Sequence, residues 1–330
     1  MRFRVDAFCS LLLLLLALGA ALGDSQARAF VLLPAVCYPT SWTITSVAVA
    51  ESNPDPRPGG PEKASAYQDV WTHDQQVIAN LKARPPATPV VCLLGGSSAR
   101  ECTISDERWA AQVRALGTKA RTYNLGSSNR TFAESLALIR ALPGGRLHMI
   151  VFIGVSPGSF GRRVTSASIT LPAPTFPLPP WRQHVVSQDR ILSLQAKRAL
   201  VSRWMAEVYP VFQSQYSTQR MLLERLITVC KSRHLHPILV EVPRNMAIIG
   251  HAMDRPISRV RRTCRALSAE YSIPFLGGFV GAANLADLDF YDTSHIVEPG
   301  RVKWQRLLSR ETARQLRHYG LGVPASSVAQ

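Results

Sequence analysis

Apolar positions along the chain fall into two patterns. Five short runs have the length and composition of strands: Pro89–Leu94 (PVVCLL), of the type buried on both faces, Ala120–Leu125, where polar and apolar residues mix, His148–Ile153 (HMIVFI), Pro237–Val242 (PILVEV) and Ile273–Leu276 with its flanks. Helical stretches lie between them. Ala64–Lys82 has helix-forming composition and stops before Pro85-Pro86. Ser105 is a cap for a helix through Leu116, with Asp106 and Glu107 in the first turn, where negative charge meets the positive end of the dipole. Thr131 and Glu134 form a capping box ahead of apolar Leu136, Ile139 and Leu142, and Gly144-Gly145 ends that helix. Further helices are predicted over roughly 188–208 and 214–233, and from Pro299 to near Gly320. Strands alternating with helices predict an α/β domain with a mostly parallel five-stranded sheet, helices on both faces, and a ligand site at the carboxyl ends of the strands.

The pattern breaks in two places. Residues 51–62 (ESNPDPRPGGPE) are rich in Pro, Gly and charge and read as a linker. Residues 158–181 carry five prolines without helical periodicity, so the stretch at about 158–233 is expected to be an inserted helical lid, with Trp181 either lining the cleft or packed beneath a loop. The expected organisation is an N-terminal segment at 1–29, an extension and linker at 30–62, and one domain at 63–330 containing the insertion.

Composition narrows the class. The chain has 330 residues, 46% hydrophobic and 18% charged, which excludes a disordered chain or a coiled coil. The net charge of +16 is almost entirely arginine, because only six lysines occur. Arg2 and Arg4 precede an apolar Ala7–Leu22 run and small-x-small sequences at Ala21–Gly23 and Ala27–Ala29, the order of a secretory signal peptide. The run is short for a spanning helix, and a retained membrane anchor is the alternative. Export leaves little access to nucleic acid, and the arginines are scattered along the sequence without interleaved aromatics, so anionic envelope polymers are the expected attraction. Of six cysteines, Cys9 would leave with the signal peptide; the remaining five allow at most two bridges and a free thiol. None has zinc-site spacing, and His234-x-His236 lacks a third ligand nearby, so no metal is expected.

The loops at the predicted strand ends carry the chemistry. They read Gly95-Gly96-Ser97-Ser98 after the first strand, Asn124-Leu125-Gly126-Ser127-Ser128-Asn129 after the second and Gly154-Val155-Ser156-Pro157-Gly158 after the third. Asp292-Thr293-Ser294-His295 precedes the last helix. A serine on a Gly-rich turn, with an Asp and a His three residues apart, is a candidate nucleophile, orienter and base. Loop amides near Ser97 and Gly126 are candidate oxyanion donors.

These blocks resemble the SGNH hydrolases, or GDSL-type esterases, and the related cell-surface polysaccharide O-acetylesterases and O-acetyltransferases. That family has a Gly-Asp-Ser turn after the first strand, a Gly after the second, Gly-x-Asn after the third and Asp-x-x-His before the last helix. Gly95-Gly96-Ser97 matches the first block with Gly for Asp, Gly126 the second, and Asp292-x-x-His295 the last. In the third block, Ser156 stands where the family has Asn, with Asn124 or Asn129 as substitutes.

The resemblance covers roughly residues 88–318 outside the insertion. It implies a flavodoxin-like three-layer α/β/α fold of the SGNH type. It also implies acyl-ester hydrolysis or acyl transfer on an envelope glycan or glycolipid, without cofactor or metal. Ser97 would be nucleophile, with Ser98 as the alternative, His295 the base and Asp292 its orienter. Ser97, Gly126 and Ser156 would hold the oxyanion, and Arg100, Asn129, Arg130 and Arg244 are candidate substrate ligands. Two rival readings compete: a degenerate SGNH-like glycan-binding protein, and an α/β-hydrolase whose G-x-S-x-G elbow is Gly154–Gly158 with Ser156 as nucleophile.

Overall fold

A computed structural model describes residues 62–143, 147–164, 167–179 and 191–322. The expected signal peptide or anchor, most of the linker, Cys37 and Trp181 lie outside these residues. The elements run α1 (Glu62–Ala83), β1 (Val90–Gly95), α2 (Ser97–Arg100), α3 (Asp106–Ala115), β2 (Arg121–Gly126), α4 (Phe132–Ala141), β3 (Met149–Val155) and α5 (Pro157–Phe160). They continue with α6 (Leu194–Arg203), α7 (Tyr209–Ser232), β4 (His236–Glu241), α8 (Met246–Ile249), α9 (Asp254–Tyr271), β5 (Phe275–Leu276), α10 (Phe279–Ala282) and α11 (Glu298–His318).

All five strands pair in parallel in the order β2-β1-β3-β4-β5, the flavodoxin-like order. Strand alternation divides the core in two. Val90, Cys92 and Leu94 of β1 face one layer with α1, α4, α7 and α9; Val91 and Leu93 face the other with α3, α10 and α11. β1 and β3 are buried along their whole length, which is why they read as unbroken apolar runs. The order reverses between β1 and β3, and the crevice at the carboxyl ends of those two strands is where such sheets take their ligands.

Local signals hold where they are strongest. Ser105 caps α3 by accepting from Arg108 N at 3.2 Å. In the capping box of α4, Thr131 Oγ1 accepts from Glu134 N, and Thr131 N donates to Glu134 Oε2 at 2.7 Å.

Three departures are informative. α7 is no lid: Phe212, Tyr216, Leu223, Leu226, Ile227 and Cys230 lie in the main core, making it the crossover between β3 and β4. It continues from α6 through a π-helical turn at Trp204–Val208, where Pro210 supplies no N–H to the preceding turn. The Pro-rich stretch lies along α1, with Gln76 Nε2 donating to Ala173 O and Asn80 Oδ1 accepting from Thr175 N. Finally, α9 fills the sequence between β4 and β5, where the apolar pattern predicted no element. Its Ile257, Val260, Cys264 and Leu267 are buried. Among the described residues, Cys92, Cys102, Cys230 and Cys264 are free and buried, so none of them forms a bridge. Among the same residues, no helix is long and apolar enough to cross a membrane.

Candidate active site

Ser97 begins α2 directly beyond the carboxyl end of β1. The turn needs its first glycine: Gly95 sits at φ 156°, and a Cβ there would lie 2.7 Å from the Cβ of Ala99. The second is different, because a Cβ on Gly96 would meet nothing within 4 Å. The serine found after β1 is met by a loop from the far end of the chain. Ser97 Oγ lies 2.7 Å from His295 Nε2, and His295 Nδ1 lies 2.7 Å from Asp292 Oδ2. Asp292 Oδ1 accepts from the backbone N–H of Ser294 and His295 at 2.7 and 2.8 Å, so the carboxylate is held before it meets the ring.

Asp292 is 4% exposed. Burial pushes its carboxyl up, but the charge and hydrogen bond of His295 and the two backbone amides outweigh this, and the net shift is downward. Burial pushes the His295 imidazolium down. Asp292 and, more weakly, Glu101 overcome that and the opposing Arg100, so the net shift is upward.

Ser97 and His295 are 198 positions apart, and a buried clamp connects their supports. Glu101, at the end of α2, is fully buried and accepts from Arg100. Its carboxylate also meets Arg301 Nη2 at 2.9 Å, and its carbonyl accepts from Arg301 Nε at 2.9 Å. Arg301 stands in the first turns of α11, just past His295. The sequence reading missed this pair, since nothing in local pattern joins residues so distant.

The expected oxyanion donors fare differently. Ser97 N–H is the first amide of α2 and has no acceptor among the described residues. Gly126 is held against α2, with a Cβ there meeting Arg100 N at 2.4 Å, but its N–H donates to Asn124 Oδ1 at 2.9 Å. That engagement corrects the expected role of Gly126. Ser156 is the N-cap of α5: its Oγ accepts from Ser159 N and lies 3.3 Å from Ser159 Oγ. No histidine bonds Ser156 or Ser98 among the described residues, so neither has the partner that a nucleophile needs. Asn124 is likewise spent, its Nδ2 donating to Ala99 O and Thr103 Oγ1. Asn129 differs: it holds φ 58° and a buried Oδ1 without a partner, in a loop fixed beside the Ser97 turn by Ser127 N donating to Gly95 O at 3.0 Å.

Three arginines offered for substrate are placed in the framework. Arg100 is 2% exposed and bonds Glu101 and Ser128. Arg130 is buried against Asp74, whose carboxyl burial pushes up to about 6 despite that guanidinium. Arg244 is buried against Glu241. His236 stacks on Tyr319 at 4.1 Å. Among the described residues, no group of three or more His, Cys, Asp or Glu could hold a metal ion. On α11, Lys303, Arg306, Arg310, Arg314 and Arg317 are exposed at helical spacing, with Lys303 paired to Asp289 and Arg314 to Glu311.

No protein-family model matches the chain, and no curated protein does. Similar solved structures include a lipase/acylhydrolase from Enterococcus faecalis (14% identity, TM-score 0.39, covering 69% of this chain and 97% of that one). A lipolytic protein of the G-D-S-L family from Veillonella parvula is also similar (11% identity, TM-score 0.43, 69% and 100% covered). So is a GDSL-like lipase from Bacteroides thetaiotaomicron (12% identity, TM-score 0.41, 74% and 98% covered). The chain's own sheet order, with helices packed on both faces, is a three-layer α/β/α fold that places Ser97 directly after β1 and Asp292-x-x-His295 before α11.

Proposed function

We propose that the protein is a serine acyl-ester hydrolase or O-acyltransferase acting on an acylated cell-envelope glycan or glycolipid. The observation that carries the chemistry is the continuous Ser97–His295–Asp292 hydrogen-bond chain, with both links at 2.7 Å. In the working tautomer His295 Nδ1–H donates to Asp292, leaving Nε2 to accept the proton of Ser97. Ser97 Oγ attacks the acyl carbon, its proton moves to His295 Nε2, and the oxyanion forms opposite the free Ser97 N–H. When the intermediate collapses, the bond to the alcohol oxygen breaks and His295 returns the proton to that oxygen. Water or a sugar hydroxyl then attacks the acyl carbon and gives its proton to His295 Nε2. The bond to Ser97 Oγ breaks, the acid or new ester leaves, and His295 returns the proton to Ser97.

The envelope setting is supported by the signal-like N-terminal sequence and by the basic outer row of α11, which suits anionic envelope polymers. The engaged Gly126 amide favours one rival, a protein of this fold that binds acylated glycan without turnover.

A fluorophosphonate probe applied to wild type and to the Ser97→Ala, Ser98→Ala, Ser156→Ala and His295→Ala variants decides between them. Labelling lost in the Ser97 and His295 variants alone supports the hydrolase. A folded wild type that takes no label, and binds acetylated glycan without releasing acetate, establishes the binding protein instead.

A further inference from the structure

The segment between β3 and α7 contributes a buried lysine whose bonds lead to the catalytic loop. Lys197, on α6, has no exposed surface, and its Nζ donates to Asp287 Oδ1 at 2.6 Å and Asp287 O at 3.1 Å. Asp287 Oδ1 also accepts from Asn245 Nδ2 at 2.7 Å, and that same amide donates to Asp292 O at 3.3 Å. The Asn245 backbone N–H donates to Thr293 O at 2.9 Å. Just before α6, Leu192 N donates to Tyr291 O at 2.9 Å, and Tyr291 N donates to His295 O at 2.8 Å.

We propose that Lys197 is a positioning residue that, through Asp287 and Asn245, fixes the Asp292–His295 loop in the register the triad needs. A buried ammonium is strongly unfavourable without its carboxylate, so the pair allows few alternative arrangements of α6 and the loop. The chain of bonds ends on the backbone of Asp292 itself, the residue that orients the base. An apolar side chain at 197 would fill the space yet leave Asp287 and Asn245 free to turn away. A shift of an ångström in a catalytic group can cost about 100-fold in rate. For its kinetic readout the proposal rests on the hydrolase reading above; its spectroscopic readout does not.

The test compares Lys197→Met and Lys197→Arg with wild type, using p-nitrophenyl acetate turnover and a proton and nitrogen NMR titration of His295. The charged groups facing the His295 ring are Asp292 on its own loop and Glu101 and Arg100 from the end of α2. Loosening Asp292 therefore lowers the His295 pKa. Expected for Lys197→Met is a kcat about 10- to 100-fold lower with little change in KM. The His295 pKa should fall, and its downfield Nδ1 proton should broaden; Lys197→Arg should restore all three.

If Lys197→Met does not fold, Asp287→Asn, which keeps the shape and an acceptor oxygen, should shift the His295 titration in the same direction. A folded Lys197→Met or Asp287→Asn with a wild-type His295 titration and Nδ1 signal overturns the proposal. Failure of wild type to turn over ester or take a fluorophosphonate label overturns the hydrolase reading alone, because the titration still reports the Lys197 dependence.

Discussion

Two serines stand at matching places in this molecule. Ser97 follows β1 and Ser156 follows β3, on neighbouring parallel strands, and each opens a helix of four residues. One residue of phase separates them. Ser156 is the N-cap of α5, so its oxygen turns back to Ser159 N. Ser97 is the first helical residue of α2, with Gly96 at the cap, and its hydroxyl is left to meet whatever approaches from outside. What approaches is His295. A serine after a buried strand is thus chemically undecided by its own turn, and the assignment comes from a segment elsewhere in the chain.

The sharpest way to break that comparison is to delete each hydroxyl. Ser97→Ala should lose fluorophosphonate labelling and reduce ester hydrolysis by at least about 1000-fold. Ser156→Ala should keep its label and lose about 1 kcal/mol of stability in a denaturant melt, the ordinary value of a cap. Equal losses of label in both would remove the distinction.

Next in size is the orienter. Asp292→Asn keeps the shape but allows the wrong imidazole tautomer, and kcat should fall by about 1000- to 10,000-fold, read from steady-state kinetics. The pH profile follows from the same pair. The His295 pKa is raised, so kcat/KM should climb with pH along a limb centred above about 6.5. Asp292→Asn should move the residual limb downward. The linked stability has a defined sign. The His295 contribution is complete below about pH 6.5 and fades as pH rises through the raised value; that of Asp292 is present above about pH 4 and fades as pH falls through the lowered one.

Smaller effects separate the glycines around Ser97. Gly126→Ala drives a methyl onto the backbone of Arg100 and should cost about 1–3 kcal/mol, with slower labelling. Gly96→Asp enters open space at a helix cap and should change stability by no more than about 0.5 kcal/mol while keeping the label.

The sequence was most legible where one short segment decides its own structure. Buried strands, the Ser105 cap and the Thr131–Glu134 box need only local pattern, and the three-residue spacing of Asp292 and His295 is likewise local. α9 escaped because Arg255, Arg259, Arg261, Arg262 and Arg265 dilute a stripe whose apolar spacing, Ile257-Val260-Cys264-Leu267, is helical throughout. The supposed lid helix was misplaced for the opposite reason: a Pro-rich approach suggested an excursion, while the apolar side of α7 belongs to the core. The engagement of Gly126 depends on the side chain of Asn124 turning forward two residues, which no periodicity reports. Glu101–Arg301 and Lys197–Asp287 are invisible to any window, being 200 and 90 positions apart.

The 198-position gap between Ser97 and His295 also makes the reactivity of Ser97 depend on folding of the whole domain. Closing a contact of this separation costs the loop entropy of the intervening chain, and topologies rich in such contacts fold slowly. Ser97, its turn and β1 can all form while the hydroxyl is still as unreactive as that of a free serine. Ser97 meets His295 only when the segment leading into α11 is docked beside β1, and the Arg301–Glu101 pair joins the same two parts of the chain. Reactivity toward a serine probe during refolding is accordingly a clock for the docking of the domain's two ends.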